Sequence, residues 1–78
     1  MEKINWSLEE VFGMGCYLVA DKQRIALLGK SYIDKVDGKI CIIAEVLDIK
    51  EEFKDKLPSE PIKFVEETIP YKFVMIEE

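Results

Sequence analysis

The sequence predicts a mainly β fold, a small antiparallel meander forming a partly open barrel or curved sheet with two short helices, and three local signals predict it. The first lies in residues 31–47, where Asp37-Gly38 separates two β-prone runs. That dipeptide suits a type I′ hairpin turn, whose two central positions both need positive φ. The second is another pair of apolar runs, residues 16–20 and 24–28, around the polar Asp21-Lys22-Gln23. The third is Ser7-Leu8-Glu9-Glu10, which has the spacing of a capping box.

Taken in order, residues 1–6 read as a short extended segment with Ile4 and Trp6 on one side. A helical turn over 7–12 follows, with Ser7 as the cap, Trp6 stapled onto Val11, and Leu8, Val11 and Phe12 on one face. Gly13 stops it. Gly13-Met14-Gly15 is the only glycine-spaced motif, but it follows a helix and opens a strand, the reverse of a dinucleotide fingerprint. In the hairpin of 16–20 with 24–28, a loop at Lys22-Gln23 sets Leu18 opposite Leu27 and Val19 opposite Ala26. Both of its faces are then apolar, so it needs cover on both sides.

Gly29-Lys30 joins this hairpin to the central one. Folding about Asp37-Gly38 pairs Val36 with Lys39, Lys35 with Ile40, Asp34 with Cys41, Ile33 with Ile42, Tyr32 with Ile43 and Lys30 with Glu45. An aliphatic pair and an ion pair support that register. Beyond it Ile49, Phe53 and Leu57 recur every four residues, predicting an amphipathic helix around 50–56 that ends before Pro58. Residues 62–65 read as a fifth strand, 66–68 as a turn and 69–76 as a last strand whose start Pro70 demotes to an edge or bulge.

Seventy-eight residues make a single small β-rich domain, 1–78, with a modest core. No uncharged apolar run reaches the roughly 20 residues of a membrane span, so the chain reads as soluble and without a signal peptide, and no membrane partner is expected. The net charge is −5, and its excess lies in the second half: residues 1–39 carry six acids and six bases, residues 40–78 ten acids and five bases. Acids come in adjacent pairs at 9–10, 51–52, 66–67 and 77–78, and Arg24 is the only arginine. Direct nucleic-acid binding is therefore disfavoured. In strand count the expected architecture resembles small SH3-like and OB-like barrels. OB-like barrels that bind single strands do so through aromatics in a basic groove, and the charge here has the wrong sign.

The chain has no histidine, and Cys16 and Cys41 stand 25 residues apart without neighbouring cysteines. Zinc and a histidine-assisted nucleophile are both disfavoured, and two free, buried thiols in a reducing cytoplasm are the expectation. Asp34 and Glu45 are the acids within strands, and cross-strand ion pairing with nearby lysines accounts for them. Asp34-Lys-Val-Asp-Gly38 lacks the ligand spacing of a calcium loop. No catalytic, cofactor or metal residue is assigned, and no cofactor is expected.

Function is read from surplus apolar surface. In the hairpin register Ile33, Ile40, Ile42, Ala44 and Val46 face one way, and Tyr32, Val36, Cys41 and Ile43 the other, with only two short helices as cover. Tyr32, Val36 and Ile43 are the candidate interaction residues. The expectation is a non-enzymatic protein-interaction or assembly module that self-associates as a homo-oligomer. A small acidic inhibitor or regulator covering a basic, nucleic-acid-binding surface of another protein is the alternative, and a subunit of an oligomeric enzyme with an interfacial site the third.

Overall fold

The computed structural model describes residues 3–76, in which five strands share one sheet: β1 (Trp6–Val11), β2 (Gly15–Ala20), β3 (Gln23–Val36), β4 (Lys39–Ile49) and β5 (Tyr71–Met75). Their spatial order is also β1-β2-β3-β4-β5, with antiparallel neighbours except for β5, which runs parallel to β4. The sheet is therefore mixed and open, with β1 and β5 at its edges, where an all-antiparallel meander forming a partly open barrel or curved sheet was the expectation. A parallel return needs a crossover, and residues 50–70 supply it. Glu77-Glu78 and the first two residues of the expected extended segment lie outside the described residues.

The expected helix at 7–12 is a strand. Ile4, Trp6 and Leu8 recur every second residue and are half-buried against the core, while Asn5, Ser7 and Glu9 are exposed. That period suits a pleated edge paired to β2, with Trp6 opposite Ala20 and Leu8 opposite Leu18. Long-range pairing of this kind outweighs one capped turn, whose nucleation costs more than its few hydrogen bonds return.

The second helix is a 3-10 piece, Glu51–Lys56, between two residues in extended conformation, Lys50 and Leu57. Pro58 holds Leu57 extended, leaving too little chain for a regular α-helix. Phe53 donates its backbone N–H to Lys50 O at 2.9 Å, and Phe53 and Leu57 still pack on the core as their spacing indicated. Residues 62–65 do not form a strand. Ile62 makes an isolated bridge to Tyr71, with both N–O distances 2.7 Å, before Phe64 turns into the core and its carbonyl accepts from Glu67 N. Pro70 immediately precedes β5, as an edge strand tolerates.

Both hairpin turns place non-glycine residues at positive φ. Asp37 (+52°) and Gly38 (+80°) form the type I′ turn, and the register from Val36–Lys39 to Tyr32–Ile43 is the expected one. Asp21 (+47°) and Lys22 (+70°) form a second two-residue turn one position earlier than Lys22-Gln23. Val19 thus pairs with Arg24, and after a bulge Leu18 pairs with Ala26 rather than Leu27.

Two further irregularities shape β3 and β4. Gly29 and Lys30 together oppose Glu45, which removes the expected Lys30–Glu45 pair; one step on, Leu47 is the extra residue on β4. A Cβ at Gly29 would come within 2.9 Å of the Leu47 side chain. The Leu47 bulge changes the facing of β4, so Val46 and Ile49 both join the core with Leu18, Ala20, Ile25, Leu28 and Ala44. Phe64 meets Tyr71 and Phe73 edge-on, at centroid distances of 5.5 and 6.3 Å. No helix among the described residues is long and apolar enough to cross a membrane.

The two turns make opposite predictions. Gly38→Val meets no neighbour within 4 Å, so its cost is backbone strain, and it should destabilise by more than about 1 kcal/mol. Lys22→Gly relieves strain at a position any side chain dislikes and should stabilise by roughly 0.5 to 1 kcal/mol. Urea melts of both variants beside the wild type check these signs.

Candidate interaction surface

The bulge at Gly29-Lys30 is also where β3 leaves β2, since Cys16–Leu28 is their last pair. The β1–β2 connection turns back at that level, through a turn in which Gly13 has φ +80° and Met14 N donates to Val11 O. From Ser31 onward β3 has β4 on one side and no strand on the other among the described residues. The result is a hairpin arm that projects beyond the core. Every residue from Lys30 to Lys35 is exposed.

Alternation along the arm sorts its side chains. Ile33 and Lys35 share a face with Ile42 and Ile40, and Tyr32, Asp34 and Val36 share the other with Ile43, Cys41 and Lys39. Tyr32 is 52%, Ile33 66% and Ile40 54% exposed, so both faces of the arm show apolar side chains to solvent.

The three residues expected as a patch are not equally available. Tyr32 is exposed, Val36 is half-buried and Ile43 is only 5% exposed. Ile43 lies between Tyr32 on β3 and Lys72 on β5, and a residue flanked by strands on both sides has little surface left. Lys72 is itself anchored on that face, its Nζ donating to Ser59 O at 3.4 Å. On the arm itself, the exposed apolar residues missing from the expected patch are Ile33 and Ile40; Phe12, expected on a buried helix face, is fully exposed at the β1–β2 connection instead. The register of Ile33 and Ile40 was legible, and the early end of the β1–β2 hairpin that uncovers them was not.

Arg24 pairs with Glu9 and stacks over Tyr17, with Cζ 5.2 Å from the ring centroid. Asp34 accepts from Lys35 N at 2.7 Å. Cys16 and Cys41 are both free: Cys16 pairs across to Leu28 and Cys41 to Asp34. Burial, with Glu10 and then Glu67 nearby, pushes the Cys16 thiol above its ordinary range. Among the described residues no group of three or more acids, cysteines or histidines is placed to hold a metal ion.

Two measurements test this layout. Tyr32→Lys should change stability by less than about 1 kcal/mol, whereas Ile43→Lys should cost more than about 3 kcal/mol by burying an ammonium beside Lys72; thermal melts separate the two. Glu10→Gln removes one cause of the raised Cys16 pKa, so more thiolate forms and alkylation of Cys16 at mildly alkaline pH should quicken. An unchanged labelling rate would remove Glu10 from the environment of that thiol.

Compared with family models, curated proteins and solved structures, the chain finds no match.

Proposed function

We propose that this chain is a non-enzymatic protein-interaction or assembly module that works through the projecting β3–β4 arm, with self-association as its principal mode. The observation that carries this reading is the exposure of Tyr32, Ile33 and Ile40 on a hairpin outside the core. Burying one such side chain in an interface contributes roughly 1.5 to 3 kcal/mol before the costs of association, so the three together favour association by several kcal/mol before those costs. Tyr32 belongs to the interaction surface directly, and Val36 and Ile43 support it from beneath. The partner is a protein, because a net charge of −5 opposes a nucleic-acid backbone. Two free thiols fit a reducing, cytoplasmic setting.

The test uses the full chain as bait in native host extract, beside a Tyr32→Ser, Ile40→Ser variant, at about 0.05 and about 0.5 M salt. Capture that survives high salt and is lost in the variant is the expected outcome. Capture that disappears at high salt and ignores the variant would point instead to an acidic inhibitor of a basic protein.

A further inference from the structure

The free side of β3 carries backbone groups as well as side chains, and two observations show which residues present them. Val36 and Lys39 flank a two-residue turn and so form a hydrogen-bonded pair. By alternation Val36, Asp34 and Tyr32 direct their backbone groups to β4, and Lys35, Ile33 and Ser31 direct theirs to the free edge. Independently, Ile42, which faces Ile33, donates its N–H to Pro70 O at 2.9 Å on the β5 side. The Ile33–Ile42 pair is thus a non-hydrogen-bonded one. Lys35 N agrees: its partner is the Asp34 carboxylate, a side chain standing where a neighbouring strand's carbonyl would.

We infer that the occupant of this edge is a second copy of the chain, its residues 31–35 aligned antiparallel with the first about a two-fold axis at Ile33, which joins two sheets into one. This rests on the self-association reading above and gives it a geometry. An unpaired edge of this length, apolar on both faces, is a template for strand addition. Charge and backbone phase then select the register. Outward-facing backbones must meet outward-facing ones, which leaves alignments centred on single residues. Centred on Ile33, the two copies place Ile33 opposite Ile33, Ser31 opposite Lys35 and Tyr32 opposite Asp34, with Lys30 diagonal to Asp34 on one face. About six backbone hydrogen bonds form, the two from Lys35 N replacing its bond to the Asp34 carboxylate, and no like charges meet directly. Centring on Asp34 would set carboxylate against carboxylate. Centring on Tyr32 would draw in the bulged Gly29-Lys30, where the ladder is already broken.

Sedimentation of the wild type from about 1 to about 100 µM reads the association, and two substitutions read its geometry. Ile33→Lys puts two ammonium groups opposite each other at the axis; because Ile33 is 66% exposed, the variant should keep the melting temperature of the dilute, monomeric wild type while dimer affinity falls at least tenfold. Ile33→Cys should form an intermolecular bridge under mild oxidation, since Cα atoms of a hydrogen-bonded antiparallel pair lie about 5.5 Å apart, within disulfide reach. Ile40→Cys, on the far strand of the arm, should not. A dimer indifferent to Ile33→Lys, or one that bridges through Ile40→Cys instead, overturns this pairing while leaving assembly through the arm in place. A wild type that is monomeric throughout overturns the pairing as well, and the capture experiment above then decides the interaction reading by itself.

Discussion

The close approach of Leu47 to Gly29 is the constraint on which the sheet's shape depends. Only a residue without a Cβ allows Leu47 to lie where it does, 2.9 Å from the point a Cβ would occupy. On β4 the extra residue brings Ile49 into the core behind Val46. On β3 the accompanying bulge separates the part of the strand that pairs with β2 from the part that does not. Core packing and a projecting arm thus come from a pair of adjacent bulges, in keeping with the use of bulges to redirect strands.

The core is closed by the chain's most distant piece. Phe73 pairs across to Ala44, and Tyr71 to Ile42, so β5 brings its aromatics against the smallest residue of β4 and one of its largest. Phe64 completes a trio of rings, two edge-on contacts and one stacked pair, with Tyr71 and Phe73 at 6.3 Å. The 3-10 helix contributes Phe53 to the same cluster. Burial is consequently concentrated between Leu18 and Phe73, while residues 30–35 take no part in it.

Local signals were legible where chemistry and geometry coincide in a few residues. Asp37-Gly38 predicted both a turn and the register beside it, because positive φ at two successive residues has few sequence solutions. Asp21-Lys22 adopts the same turn with neither residue a glycine, so no dipeptide signal marks it and the register beside it differs from the expected one. Ser7 and Glu10 offered a capping box, but Trp6 and Leu8 lie opposite Ala20 and Leu18, and those partners are invisible to a local reading. The parallel placement of β5 depends on how residues 57–70 route the chain, which no spacing within 71–75 encodes. The candidate surface was half legible for the same reason: the facing of Tyr32 and Ile43 followed from the turn, but not the flanking strand that buries one and spares the other.

The parallel direction of β5 has a consequence for how the molecule can be held. Ile76 leaves the sheet hydrogen-bonded to Val46, N to O 3.2 Å, and Asn5 enters it tied to Asp21, both removed from the Asp37-Gly38 tip. An antiparallel fifth strand would have delivered the chain to the tip instead. A tether, a label or an appended polypeptide attached near either residue therefore stands behind the core, and the arm points away from the anchorage with its open edge unobstructed.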